Sequence, residues 1–351
     1  MTTTATKEAL LRGLSRIYEE SQLSLLRLVA ERLARGAESP NWALDKLMEL
    51  GFLRQDAQRV LKKTQREAVE QIVQIVQAFY SGGQADELET AVRLGLAGRT
   101  VAKGRGIVSE SVKMLVAEGL SFTNRMGSRV LRDVDDVYRR VVAEASGLEL
   151  SGTLTRVQVM QRSLDRFADA GVTGFVDRRG RKWEMQAYAD MAVRTVTHHA
   201  STQGHLDSLA ARGRDLVIVS DHKGECPRCR AFEGKVLSIS GQDPDHISVA
   251  QARSNGLEHP GCRHRYGIYL PGITPPPEPQ GKPEDYDLIQ KQRAMERGVR
   301  QAKRRAAVAA TPEAKAKAGA LIRARQKQLR EHVAEHDLKR RSDRERVMRN
   351  G

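Results

Sequence analysis

All three cysteines of this 351-residue chain fall in one short stretch, as Cys226-Pro227-Arg228-Cys229 and then His259-Pro260-Gly261-Cys262-Arg263-His264. No other feature restricts the fold as strongly. A Cys-x-x-Cys turn aims two thiolates at one point, and a second Cys/His loop can complete a tetrahedral shell. The spacing therefore predicts a structural Zn²⁺ that clamps two loops well separated in sequence. Cys226, Cys229 and Cys262 are its thiolate ligands. The fourth position is open among three histidines: His264 two residues after Cys262, His259 three before it, and His222 four before Cys226. We take Cys226, Cys229, Cys262 and His264 as the primary set, with His259 and His222 as alternates. The competing reading is a grouping of free or buried thiols with one disulfide at most.

An odd number of cysteines argues against a disulfide framework, and the start Met1-Thr2-Thr3-Thr4-Ala5-Thr6 lacks the charged and apolar regions of a secretory signal. A reducing compartment is expected. No apolar run is long enough to span a bilayer, so no membrane partner is expected either. The 59 Lys and Arg against 44 Asp and Glu leave a net charge of +15, and the excess is uneven. From Gly281 to Gly351 there are 20 basic and 10 acidic residues. Such a segment attracts polyanions without reading sequence. The interspersed acidic residues equally fit a solvated, internally paired helix. No aromatics interleave with the basic residues, so a stacking platform for single strands is not indicated.

Apolar residues at three- and four-residue steps predict helices through the first half: Lys7 to Arg35, a short one through Leu44, Leu47 and Met48 that stops at Gly51, and Arg54 to Tyr80, ended by Ser81-Gly82-Gly83. Further helical stretches are expected over Asp86 to Leu96, Ser109 to Arg125, Arg129 to Glu144 and Leu154 to Asp169. Their apolar faces suit a bundle, and their length and low aromatic content suit support from neighbouring chains. The pattern changes at Gly174 to Trp183, where two extended runs flank a polar turn containing Gly180, which predicts a β-hairpin. A helix from Met185 to about Ala211 closes at Gly213. Leu216 to Ser220 reads as a buried strand entering the Cys-x-x-Cys turn, and Gly234 to Ile239 as a strand leaving it. Thr274-Pro275-Pro276-Pro277-Glu278-Pro279 is a stiff linker, since proline fixes φ and lacks the amide donor. Beyond it, Tyr286 to Met348 returns to helical composition, with Thr311-Pro312 opening a new helix.

The expected fold is α+β and mostly helical. A helical region (1–170) precedes a small zinc-stapled module containing short strands (171–273). A proline-rich linker (274–285) then leads to a basic helical extension (286–351). No internal repeat of fixed period is present.

An ordered set of short motifs runs through the central module. It comprises Asp177, Gly180-Arg181-x-Trp183-x-Met185, Tyr188-Ala189-x-Met191-x-x-Arg194-Thr195, Asp215-Leu216-Val217-x-Val219-Ser220-x-His222, Gly234-Lys235-Val236-x-Ser238, His259-Pro260-x-Cys262-Arg263-His264 and Pro271-Gly272. This set resembles the minor capsid protein 2 family of tailed phages and, distantly, the phage Mu F-like head morphogenesis proteins. The resemblance covers Gly174 to Gly272, and the flanks match nothing recognisable. It implies a structural virion protein at the portal vertex or inside the head, present in the host cytoplasm during assembly. Its partners would be the portal protein, other capsid or scaffold proteins, and packaged DNA held non-specifically by the basic extension. It implies no small-molecule substrate and no catalysis. Many family members carry Arg and His where this chain has Cys226 and Cys229, which keeps a set of His222, Cys229, Cys262 and His264 open.

The enzymatic alternative is a metal-dependent nuclease with His198, His199 or His222 as base. A catalytic Zn²⁺ needs an open position, whereas the donors here can close the shell, and no paired carboxylates follow. Arg194 is expected to pair with Asp177 or Glu184 or to cap a carbonyl, and Trp183 to pack under the following helix. Lys103 to Gly106 lacks the Gly-Lys-Ser/Thr ending of a phosphate loop and reads as a turn.

Overall fold

A computed structural model of the chain describes residues 4–36, 39, 41–93, 110–150, 155–170, 173–176, 180, 182–224, 226–278 and 282–347. Asp177 and the stretch Lys103 to Gly106 lie outside them. The described helices are α1 (Thr4–Ala34), α2 (Trp42–Met48), α3 (Leu50–Arg93), α4 (Glu110–Leu150), α5 (Arg156–Ala170), α6 (Met185–Ala210), α7 (Val249–Ser254), α8 (Pro283–Ala307) and α9 (Pro312–Glu335). The strands are β1 (Thr173–Val176), β2 (Lys182–Glu184), β3 (Leu216–Val219), β4 (Val236–Ser238) and β5 (Tyr266–Ile268). The fold is mostly helical with a small antiparallel sheet. The chain gathers into two compact units. Unit I is Met1–Leu14, Val69–Ser121 and Asp190–Ile289; unit II is Ser15–Ala68, Phe122–Ala189 and Gln290–Gly351.

In unit I, α3 does not end at Gly82-Gly83 as the sequence suggests; it runs on to Arg93. The glycines serve a helix crossing instead. A Cβ on Gly83 would lie 2.0 Å from the Ser201 carbonyl oxygen of α6, and one on Gly204 of α6 would lie 2.1 Å from the Tyr80 carbonyl oxygen of α3. Two backbones this close leave no room for any side chain at either position. Around the crossing, Tyr80 Oη donates to Asp207 at 2.6 Å, while the buried Glu87 accepts from Ser208 at 2.7 Å and pairs with Arg212. Helix α6 ends as expected on Gly213, whose φ of 68° is left-handed, with Arg214 N–H bonded to the Leu209 carbonyl at 3.1 Å.

The three-stranded sheet has the order β4-β3-β5, with both pairings antiparallel. Strand β3 is central, which accounts for its unbroken apolar run, Leu216 to Val219. Strand β5 escapes the sequence reading because it is three residues long with Gly267 in the middle, a residue that weakens a strand signal. Gly267 lies against the Ile218 side chain, to which a Cβ would come within 3.2 Å. Asp215 ties the start of β3 to the end of β4: it accepts from Ser238 Oγ and Ser240 N–H, each at 2.7 Å. Burial works to raise its carboxyl pKa, but these hydrogen bonds prevail and hold it below the usual range. Val217, Val219, Phe232, Leu237, Leu257 and Ile268 form the core beside the sheet, and Cys229 and Cys262 belong to it.

In unit II, Trp42 of α2 is buried and donates Nε1–H to the Leu33 carbonyl at 3.0 Å. Helix α2 does not stop at Gly51. The i→i−4 bonds continue through Glu49, with Glu49 N–H to Asp45 and Leu53 N–H to Glu49 both at 3.0 Å, so α2 runs into α3. Helix α4 is likewise one helix where two were expected, since a lone interior glycine such as Gly127 costs only about 1 kcal/mol and cannot end it. The β1–β2 hairpin forms with Phe175 opposite Trp183. Glu184, one of the partners expected for Arg194, holds a bidentate pair with Arg304 of α8, both contacts at 2.9 Å. Arg194 itself is exposed. Helix α9 begins at Thr311-Pro312 as expected, the Thr311 hydroxyl accepting from Ala314 N–H.

The C-terminal extension spends much of its positive charge internally. Arg304 pairs with Glu184, Arg305 with Asp169, Arg340 with Glu345 and Arg344 with Glu296, while Arg300 and Lys303 cap the carbonyls of Arg344 and Glu345. Lys315, Lys317, Arg323, Lys327 and Arg330 remain exposed along α9.

Candidate metal centre

Two loops at one end of the sheet of unit I carry the donors. The first follows β3. Cys226 to Cys229 form a turn, with Cys229 N–H bonded to the Cys226 carbonyl at 3.1 Å, and a short 3₁₀ turn from Arg230 to Phe232 returns the chain to β4. The second precedes β5. His259-Pro260-Gly261-Cys262 is a β-turn closed by Cys262 N–H to the His259 carbonyl at 2.9 Å, and Gly261 has φ 87°. Proline at the second position and a left-handed glycine at the third are what a type II turn requires. Ser220 N–H bonds the Arg265 carbonyl at 2.9 Å, and Arg265 N–H bonds Ser220 Oγ at 2.9 Å. Pairing of β3 with β5 thus brings the two loops together.

The donors converge in two overlapping groups, Cys226–Cys229–His259 and Cys229–Cys262–His264, with all ligand atoms within 4.8 Å of one another in each. Cys229 belongs to both. The sulfurs of Cys229 and Cys262 are 3.7 Å apart. That is far beyond a disulfide bond of about 2.05 Å. It equals the edge of a tetrahedron with metal–sulfur bonds of about 2.3 Å, which is about 3.8 Å. Cys262 Sγ lies 3.4 Å from His264 Nδ1, near the corresponding sulfur–nitrogen edge. Cys226 Sγ and His259 Nε2 sit at hydrogen-bond distance, 2.8 Å.

Both histidines have their outer nitrogen engaged. His264 Nε2 is 2.7 Å from Glu233 Oε1, and His259 Nδ1 is 3.0 Å from the Pro260 carbonyl. In each ring this leaves the inner nitrogen facing sulfur, the arrangement of a metal-ligating histidine with an outer partner. His264 is the more buried, at 3% exposure, and Cys229 is fully buried. His222 joins neither group; its ring lies beside that of His264, with centroids 4.5 Å apart and the planes tilted by 41°.

Electrostatics point the same way. The hydrogen bond between Cys229 and Cys262 drives the Cys262 thiol pKa far down and the Cys229 thiol far up, so one proton serves two sulfurs. Burial pulls His264 downward, but its bonds to Cys262 and Glu233 outweigh that and raise it. A buried thiolate is costly without a neighbouring cation, which a bound metal ion would supply. Three sulfurs and two imidazoles suit Zn²⁺ or another thiophilic ion, and they exceed the four donors that close a tetrahedral shell.

Sequence reasoning missed Glu233, and weighed the helix-borne His199 only as a nuclease base. His199 Nδ1 lies 3.2 Å from both carboxylate oxygens of Glu118 on α4, and its Nε2 lies 3.0 Å from the Glu258 carbonyl. Both partners are acceptors, so the two contacts favour the doubly protonated ring. It braces the residue before His259, where Glu258 adopts a left-handed φ of 55°. Glu233 follows the 3₁₀ turn, eleven residues after the nearest histidine, His222, and nothing in its local sequence singles it out. Of the other histidines weighed as a base, His198 Nε2 is buried with no hydrogen-bond partner among the described residues, and the His222 ring lies against that of His264.

Comparison with known proteins extends the reading beyond the central motifs. Residues 5–334 match the family model described as Phage minor capsid protein 2, so the flanks that matched nothing by inspection are included. The Structural protein of Lactococcus phage LL-H is 26% identical over 255 residues, an alignment that covers 66% of this chain and spans 66% of that relative's length. No solved structure matches the chain.

Proposed function

Because this chain belongs to the phage minor capsid protein 2 family, and is thereby a structural protein of a phage head, we propose that it acts at the portal vertex or head interior in assembly and in DNA packaging or delivery, without catalysis. Functionally we divide it into the helical region 1–170, the Cys/His module 171–273, the linker 274–285 and the basic extension 286–351. The family match over residues 5–334 carries this reading.

In this proposal Zn²⁺ is held by Cys226, Cys229, Cys262 and His264, with His259 as the alternative fourth ligand. Bound there, it neutralises the thiolates and fastens the loop after β3 to the loop before β5. Metal binding then contributes folding free energy to a sheet of very short strands. The apolar helical faces meet the portal, capsid or scaffold proteins. The exposed Lys315, Lys317, Arg323, Lys327 and Arg330 of α9 supply the contact with packaged DNA, which is weaker and depends less steeply on salt than the composition alone implies, because so many neighbouring arginines are already paired.

Elemental analysis of the purified protein is expected to give one zinc per chain, lost in the Cys229→Ser variant. Quantitative analysis of purified particles is expected to find the chain in fixed copy number. Incubation with plasmid and Mg²⁺ or Zn²⁺ is expected to leave the DNA intact; metal-dependent cleavage abolished by His198→Ala or His222→Ala would establish the nuclease instead. Among the described residues no helix is long and apolar enough to cross a membrane.

A further inference from the structure

In unit II the rod formed by α2 and the start of α3 carries an unusual outer face. Leu44, Met48, Phe52, Gln55, Arg59, Lys62 and Arg66 follow one another at steps of four, four, three, four, three and four, the spacing of a single helical stripe. All seven are exposed, and Leu47 and Lys63 flank them. The first half of the stripe is apolar: Leu44, Leu47, Met48 and Phe52 are 61%, 47%, 74% and 62% exposed. The second half is basic. Lys62 and Arg66 have no hydrogen-bond or ion-pair partner among the described residues, Lys63 reaches Glu67 only at 3.9 Å, and Arg59 pairs with Asp56. The acidic groups beside the apolar half are already engaged, since Asp45 accepts from Ser39 Oγ and Glu49 holds the buried Lys46.

We propose that this stripe is a docking surface for an amphipathic helix of another protein, one whose matching face is apolar along one half and acidic along the other. The underside of the rod is fixed by the buried Trp42, Lys46, Leu53 and Ala57, so the stripe is presented rigidly and loses little entropy on binding. It runs about 33 Å from Leu44 to Arg66 and is one helix wide, the shape of a side-by-side helical pairing.

Area and charge select the occupant. The apolar half exposes on the order of 400 Å², within the range of functional patches on single chains. A second copy of this chain could cover it only by crossing at Met48 with the basic halves diverging, which gives about 800 Å² in total, the class of weak lattice contacts. A parallel copy would set lysines and arginines against each other. An acidic partner helix uses both halves of the stripe and approaches the standard area per partner of about 800 Å².

The test uses the full chain and two labelled helical peptides of about 24 residues, about 36 Å long. Both carry leucines along one face of the first half; the second half of that face carries glutamates in one and lysines in the other. By fluorescence anisotropy the glutamate peptide is expected to bind at least about tenfold tighter, with the advantage shrinking in high salt. Lys62→Glu combined with Arg66→Glu is expected to abolish or invert the preference. Met48→Glu with Phe52→Glu is expected to remove binding of both peptides, while circular dichroism shows the helices of all variants intact. Equal binding of the two peptides, no binding of either, or binding indifferent to both pairs of substitutions overturns the proposal. So does concentration-dependent dimerisation in sedimentation velocity that Met48→Glu removes, which assigns the patch to a second copy. Flotation with phosphatidylglycerol vesicles through the same residues assigns it to a lipid surface and also overturns the proposal.

Discussion

Replacing Gly204 by alanine is expected to destabilise the protein, although the same change in an ordinary helix stabilises it. In a free helix, alanine gains about 0.5–1 kcal/mol over glycine. At Gly204 the new methyl carbon would sit 2.1 Å from the Tyr80 carbonyl oxygen, a backbone atom that no rotamer change can move. Reaching an ordinary contact of about 3.5 Å requires α3 and α6 to part by more than about 1 Å, at an overpacking cost of about 1–3 kcal/mol. The net expectation is a loss of about 1–2 kcal/mol. Gly83→Ala should behave alike, because its methyl would meet the Ser201 carbonyl oxygen at 2.0 Å. Once one alanine has pushed the helices apart, the second adds less, so the double variant should fall short of the sum by about 0.5–1 kcal/mol. Gly51 is the control: nothing lies within 4 Å of its Cβ position, and Gly51→Ala should raise stability by about 0.5–1 kcal/mol. Urea unfolding followed by circular dichroism measures all four. If Gly204→Ala stabilises as much as Gly51→Ala, α3 and α6 do not cross in backbone contact and the account of the glycine pair is wrong.

Glu233→Gln keeps a hydrogen bond to His264 but removes the charge that orients it, and is expected to weaken zinc binding about 10–100-fold in competition with a chromophoric chelator; unchanged affinity would mean that His264 is not a ligand. Arg304→Ala leaves Glu184 without its bidentate partner beneath α8, and calorimetry is expected to show a loss of about 3–5 kcal/mol, with Arg304→Lys recovering only part of it. His199 has a raised pKa: burial lowers it, but the Glu118 carboxylate and the Glu258 carbonyl raise it more. Its contribution is therefore complete below the ordinary histidine pKa of about 6.5 and fades as pH climbs through the higher folded value. Urea midpoints of zinc-saturated protein and of Glu118→Gln should converge as the pH is taken alkaline and separate in mild acid; a constant gap would place the ring neutral throughout.

Much of this arrangement was legible in the sequence where a residue's local chemistry decides the outcome. Thr311-Pro312 opens a helix because a hydroxyl cap and a pre-set φ are local properties. His259-Pro260-Gly261-Cys262 turns because its proline and glycine fit successive turn positions, and the convergence of Cys226, Cys229, His259, Cys262 and His264 follows from two such turns. What stayed hidden depends on a partner remote in the chain. Gly82-Gly83 reads as a terminator until α6 is seen lying against it, and Gly267 hides β5 because only the Ile218 side chain explains it. Arg304 looks like one more basic residue of a charged extension, yet it is buried because Glu184, far back in sequence, meets it. Net charge shares that blindness, counting arginines that are paired inward together with those that face solvent.

Strand β3 shows how a sheet this small is held. It is four residues long and supplies both pairings, far too few hydrogen bonds to order the flanking loops alone. Each end of it is fastened by different chemistry. At its entry Asp215 grips Ser238 and Ser240 of the β4 side, using a carboxylate kept ionised by the bonds it accepts. At its exit the Ser220–Arg265 bonds align the two Cys/His loops, and the sulfurs of Cys229 and Cys262 stand at the spacing of a shared ion. Cys229 and Cys262 are also part of the apolar core with Val217 and Val219, so an ion bound there would cross-link the core itself rather than a peripheral loop. A catalytic metal needs an exchangeable, solvent-reaching position. Here the most constrained donors, Cys229, Cys262 and His264, are the most buried, which is the order expected of a fastening.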